Sequence, residues 1–242
     1  MSLSLGKKVM RQIIQFCLSA LLMLFQLTAA GMATPADSAT ETRKVNPFDV
    51  IKIEGNFNVV LVPGSACSLK VTAGKDILPS VLNKNTGTTL SISMKPGTQG
   101  SATLEIGIKD IVQISLNING SLSSAKEIKA DNLALNLDGN TGGTLLLDVK
   151  MLTFNSTTEK DLVVKGKAGK CIGKLTGDGN TDMSELKVED MTIEKSDDGD
   201  LKIFAHPDLS ATMEGTGKIT YYGNPKKKIF HIHGNGQIVE GK

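Results

Sequence analysis

Apolar side chains recur at every second position through most of this chain, and small turn-forming residues interrupt them at a nearly fixed interval. Leu133, Leu135 and Leu137 alternate before one such interruption, and Leu145, Leu147 and Val149 alternate after it. Period two places alternate side chains on one face of a strand, and no 3.6-residue period persists here. The central residues of the interruptions are Gly120, Gly139, Thr157, Asp178, Asp198, Thr216 and Asn235. Read from the C-terminal end, their separations are 19, 18, 20, 21, 18 and 19 residues. A steady spacing of this kind marks a solenoid, in which each coil stacks only on its neighbours. The pattern therefore predicts an all-β, single-domain parallel β-helix or β-solenoid with coils of about 18–21 residues. Its corners carry Gly-x-Gly units, since glycine lets the backbone turn tightly without a Cβ clash. The expected corner glycines are Gly139, Gly177, Gly179, Gly199, Gly215, Gly217, Gly234 and Gly236.

The first half follows the same rule less regularly. Phe48 and Val50, Ile51 and Ile53, then Phe57, Val59 and Leu61 alternate around Gly55, and Leu69 and Val71 continue the pattern. Residues 76–83 break it and predict a short helical turn. Leu90, Ile92 and Met94, then Leu104, Ile106 and Ile108, resume strands. No linker separates this half from the repeats, so residues 45–242 read as one domain whose first part is an irregular cap. Residues 31–44, rich in Thr, Ala, Ser and Pro, read as a flexible tether.

Residues 1–30 read as an address label. Lys7, Lys8 and Arg11 precede an apolar run from Ile13 to Leu27, and Thr28-Ala29-Ala30 offers a signal peptidase site. The run is shorter than a membrane span requires, and Cys17 lacks the flanks of a lipidation site. Without this segment, 24 basic residues face 25 acidic ones, and Arg43 is the sole arginine. That balance speaks against a nucleic-acid partner. Trp is absent and aromatics make up 4% of the chain, which suits a narrow core of aliphatic layers. Cys67 and Cys171 remain after cleavage; Cys171 shares the phase of inward residues, and two free thiols are the simpler expectation, with a disulfide between them as the alternative.

Candidate chemistry is sparse. Asp178, Asn180 and Asp182 alternate, and Glu189 follows Asp178 by eleven positions, as in a calcium-binding loop. Such a loop needs glycine at its sixth position, where Met183 stands. A corner ion shared by Asp178 and Asp198 is the remaining metal candidate; the simpler expectation is that these residues satisfy corner backbone groups. His231 and His233 have a spacing that zinc sites use. The expected register, however, turns Phe230 and Ile232 inward and both histidines outward, and His206 is unplaced. No catalytic cluster and no cofactor site is expected.

The stretches "VNPFDVIKIEGNFNVVLVPGSACSLKVTA" and "GTGKITYYGNPKKKIFHIHGNGQI", with the spaced corners between them, resemble the "putative auto-transporter adhesin, head GIN domain" family of secreted bacterial proteins. Tyr222-Gly223-Asn224-Pro225 fits that family's Tyr-x-Gly-x-Pro connection. The resemblance implies a parallel β-helix with tight glycine corners and a role in adhesion, and it carries over no catalytic residue. Ser156-Thr157-Thr158, without glycine, and Asp198-Gly199-Asp200, with glycine at its centre, depart from the pattern. The implied function is a secreted, periplasmic or cell-surface binding protein, not an enzyme, offering polar ladders to a glycan or a cell-surface protein. The alternatives are a carbohydrate-active enzyme on the same scaffold and a structural envelope module. The short tail after Val239 leaves the last coil uncovered and implies a homo-oligomer; Lys226-Lys227-Lys228 could instead guard a monomer's edge.

Overall fold

A computed structural model of the protein describes residues 37–242. The signal-peptide reading and the start of the expected tether lie outside the described residues. Ser38–Lys242 forms one compact unit, a nearly all-β solenoid of about six turns. Its first strands are β1 (Ser38–Arg43), β2 (Val50–Gly55), β3 (Phe57–Pro63) and β4 (Ser68–Gly74). After a 3-10 turn at Leu78–Ser80 come β5 (Val81–Thr86), β6 (Thr89–Met94) and β7 (Ala102–Ile108). The long strands follow: β8 (Gln113–Ser124), β9 (Ile128–Ser156), β10 (Leu162–Leu175), β11 (Thr181–Lys195) and β12 (Leu201–Met213). The chain finishes with β13 (Lys218–Tyr222), β14 (Lys227–Ile232) and β15 (Gln237–Glu240).

Among β8 to β15 every pairing is parallel and close to one coil apart. Gln113 pairs Ala134, Gly143 pairs Leu162, Leu162 pairs Thr181, Thr181 pairs Leu201, and Lys218 pairs Gln237. The spacing read from the sequence is therefore the stacking register. Within a long strand the buried phase switches: Leu162 and Val164 are buried early in β10, Cys171 and Leu175 late. A switch from even to odd positions is what a strand needs to bend and keep the same side facing the core.

Stacking puts equivalent side chains in rows, and the rows alternate size. Phe154, Gly173, Ile193 and Ala211 follow one another in register. A Cβ on Gly173 would sit 2.6 Å from the Ile193 side chain, so the bulk of Phe154 and Ile193 fills the space that Gly173 leaves. Close-packed interiors require this complementarity. Leu135, Leu137, Leu145, Leu147, Met213 and Ile219 are fully buried, as their phase predicts. Phe230 is only half-buried, and Ile232 is 48% exposed. Both keep the expected inward register, on buried Ala211 and Met213, and Phe230 packs against the core, but the pair is not enclosed. β14 pairs β12, but among the described residues no further strand stacks on β14 to close the core over Ile232.

The first half is more ordered than an irregular cap. β2 and β3 form a coil that stacks on β8, while β6 and β7 stack on the opposite side of that coil. Antiparallel partners finish this end: β5 on β6, and β4 on β7. The expected tether is corrected over its second half, because Ser38–Arg43 pairs antiparallel with β4. Its threonines suit an edge strand, and Thr40 and Thr72 share a hydrogen bond of 2.9 Å. Arg43 anchors the strand by donating to the carbonyls of Val81 (2.6 Å) and Leu78 (3.0 Å).

Candidate functional site

Two ridges run along the solenoid where the strands bend. The first carries the expected corners. Residues 177–179, 197–199 and 215–217 lie in bends between strands, as do Gly234 and Asn235, with Gly236 just beyond. Gly139 differs: it stands inside β9 at φ +70, a conformation that favours glycine. Close approach also explains Gly217, where a Cβ would lie 2.2 Å from the Gly199 carbonyl oxygen of the coil below.

The acidic and amide side chains of this ridge bind the next coil. Asp198 accepts from the Thr216 hydroxyl (2.6 Å) and amide (3.2 Å). Asp178 accepts from the Asp198 amide at 3.5 Å. A second row runs beside it. The Asn180 amide and carboxamide donate to Asp161, Asn180 accepts from the Asp200 amide (2.9 Å), and Asp200 accepts from the Lys218 amide. These contacts close backbone donors that would otherwise stand open at each bend. Hydrogen bonding from Thr216 holds the Asp198 carboxyl below its ordinary range.

Asp182 is placed elsewhere, on β11, where it accepts from the Ser184 hydroxyl (2.5 Å) and amide and lies 3.5 Å from Lys202. Partial burial pulls its carboxyl up, but Ser184 and Lys202 together hold it below the usual value. Asp178, Asn180, Asp182 and Asp198 are therefore not gathered around one point. No group of three or more His, Cys, Asp or Glu is placed to hold a metal ion among the described residues. His231 and His233 are both exposed, while His206 lies on the other ridge.

Inside the first ridge sits an ion pair that the sequence reading missed. Lys195 occupies an inward position in register between Leu175 and Met213 and is 1% exposed. Its ammonium donates to the Asp197 carboxylate and to the Asp197 carbonyl oxygen (2.9 Å). Burial pushes the Asp197 carboxyl up, against the pull of Lys195. The signal was present: a lysine in phase with Met191 and Ile193, and an aspartate two residues on. Cys171 is buried and its thiol is pushed up to about 12 by desolvation. It and Cys67 are both free.

The second ridge is where strands bend back, near residues 149–151, 168–170, 188–190, 205–208 and 223–226. It holds an open groove of about 530 Å³ whose lining includes Asp148, Lys167, Lys187, Glu189, Phe204 and His206. Phe204 lies out of phase with the buried Leu201, Ile203 and Ala205, so its ring faces outward and is half-buried. Gly223 leaves room for it, since a Cβ there would come within 3.0 Å of the ring. Asp148 neutralises Lys167 at 3.3 Å. His206 Nδ1 lies 3.1 Å from the Asn224 carbonyl oxygen. It must donate there, which leaves Nε2 as the ring's other hydrogen-bonding nitrogen. The readable signal was an aromatic residue on the polar phase. A second depression of similar volume lies near Phe48, Asp49 and Cys67.

These features define a β-solenoid with structural corners and an open lateral groove, a scaffold that presents surface. The chain belongs to the "putative auto-transporter adhesin, head GIN domain" family, whose model matches residues 47–225. Among solved structures, a putative adhesin from Bacteroides fragilis NCTC 9343 has a TM-score of 0.80 at 20% identity. That match covers 84% of this chain and 97% of the other. A putative adhesin from Parabacteroides merdae ATCC 43184 has a TM-score of 0.67 at 17% identity, with 86% and 98% covered. A putative lipid binding protein from Parabacteroides distasonis ATCC 8503 has a TM-score of 0.66 at 18% identity, also with 86% and 98% covered. At these identities the likeness establishes the fold. No curated protein matches the chain. No helix among the described residues is long and apolar enough to cross a membrane.

Proposed function

We propose that this chain is a non-enzymatic adhesin-like protein of the cell envelope that binds a glycan or a surface protein through the outer faces of its coils. The observation that carries this reading is how the outward charges are arranged. They pair across neighbouring coils, as in Lys165–Glu185 and Lys170–Asp190, each at 2.8 Å. The result is a lateral surface of alternating sign and many hydrogen-bonding groups, suited to numerous weak contacts. The carboxylates that could have served catalysis, Asp178, Asp182 and Asp198, are each engaged by a neighbouring amide or hydroxyl. Family membership points the same way.

The test is an array of glycans and host-matrix proteins probed with the purified protein, run beside a polysaccharide turnover assay. Retention on defined array members without turnover is expected. Turnover abolished by one acid-to-amide substitution at Asp178, Asp182 or Asp198 would replace the binding reading with the enzyme alternative. Export is part of the proposal: the mature N-terminus should begin after Ala30 or Ala33, as N-terminal sequencing of the envelope fraction would read. A homo-oligomer is also proposed, with exposed Ile229 and Ile232 as the surface a second copy would cover. Sedimentation at micromolar concentration should show more than a monomer.

A further inference from the structure

The groove on the second ridge has features that a general polar surface does not need. It crosses five coils, from Asp148 through Lys167, Lys187 and Phe204 to Gly223. At about 4.8 Å between stacked strands, that run is roughly 19 Å long. The coil spacing is close to the length of one pyranose in an extended chain, so successive sugars would meet successive coils. Phe48, Phe57, Phe154 and Tyr221 are buried among the described residues; Phe204 instead turns its ring outward into the groove. The part of such a ring left open at a groove offers an apolar surface for the C–H face of a sugar ring.

Charge narrows the ligand further. Lys167 is already paired with Asp148, and Lys187 and Glu189, two residues apart on β11, bring one charge of each sign to the same lining. A polyanion would meet Asp148 and Glu189, and a polycation would meet the lysines. Lys187 and Glu189 make no side-chain hydrogen bond or ion pair among the described residues, so a donor and an acceptor are open to a ligand. His206 adds a hydrogen-bonding ring nitrogen, with the ring held by Asn224. An uncharged molecule with many hydroxyls can hydrogen-bond to each of these groups and brings no charge of its own against either sign.

From this we infer that the groove is a binding site for an extended, uncharged oligosaccharide, with Phe204 as stacking surface and Lys187, Glu189 and His206 as hydrogen-bonding flanks. This rests on the binding-protein reading above and names its site and ligand class. The test titrates the full protein with cellohexaose and chitohexaose, with hexagalacturonate as the anionic comparison, and follows saturation transfer and affinity. Phe204→Ala and Lys187→Ala are compared with Lys52→Ala, which lies in a different depression. Thermal unfolding of each variant checks that the fold is kept.

The expected result is binding of a neutral hexasaccharide, weakened about tenfold by Phe204→Ala and unchanged by Lys52→Ala. Failure of both neutral probes to bind at millimolar concentration, or preference for hexagalacturonate, overturns the assignment. Equal binding by the parent and Phe204→Ala overturns it as well. The broader reading fails separately. Array binding that survives Phe204→Ala keeps the adhesin-like function and removes the groove, whereas an array with no retained member removes both.

Discussion

The two ridges of this solenoid are built from one repeat yet have become different things. Along the first, Asp and Asn recur at one-coil intervals and accept from backbone amides of the neighbouring coil, and the Thr216 hydroxyl donates to Asp198. Along the second, the corresponding positions are Lys150, Gly169, Glu189, Pro207 and Asn224, with nothing repeated. A ridge whose side chains hold coils together is constrained to repeat. The irregular ridge carries a groove, an outward aromatic ring and unpaired charged groups. Repetition in a solenoid therefore marks structure, and its lapses are where recognition can be placed.

The strongest way to break this comparison is to remove a first-ridge group that is buried. Lys195→Ala should cost about 3–5 kcal/mol in denaturant unfolding, because Asp197 is left as an uncompensated buried charge. Lys195→Met combined with Asp197→Asn should recover most of that loss. A loss under about 1 kcal/mol for Lys195→Ala would mean that the pair is not held in the interior. Leu135→Ala, in the core shared by both ridges, should cost about 2–5 kcal/mol. Asn180→Ala removes one rung of the exposed ladder and should cost about 1 kcal/mol. If Lys150→Ala on the second ridge costs as much, the ridges are equivalent and the distinction fails.

Acidification gives a smaller and signed effect. The Asp182 carboxyl is held below its ordinary value, so its contribution is present above about pH 4. That contribution is lost as pH falls through the folded-state value. Asp182→Asn should therefore flatten the acid limb of the stability curve, as read from unfolding midpoints between pH 5 and 2. Identical limbs for parent and variant would show that Ser184 and Lys202 do not hold the carboxylate.

Much of the fold could be read in advance because it is local and periodic. Leu133, Leu135 and Leu137, and the corners one coil apart, carry their register in their own spacing. The interleaved first half could not be read that way. β2 lies between β6 and β8, so Val50 meets Thr89 on one side and Gln113 on the other, and no local pattern records such distant pairing. β1 was missed because its threonines resemble a tether until Thr72 and Val81 are in place. Asp178 and Asp198 looked like ion ligands because bend-capping and cation binding favour the same side chains. Phe204 and Lys195 were each legible as a residue on the wrong phase, but phase alone says nothing of a groove or a buried partner.

The division between the ridges is tested most directly by measuring stability and binding together on three proteins. The parent, Asn180→Ala and Phe204→Ala would each be unfolded in denaturant and titrated with the neutral hexasaccharide that the parent retains. The account predicts a crossing. Asn180→Ala should lose about 1 kcal/mol of stability and keep the parent's affinity, while Phe204→Ala should lose about tenfold in affinity. If Asn180→Ala weakens binding as much as Phe204→Ala does, recognition is not confined to the irregular ridge and the central claim is contradicted.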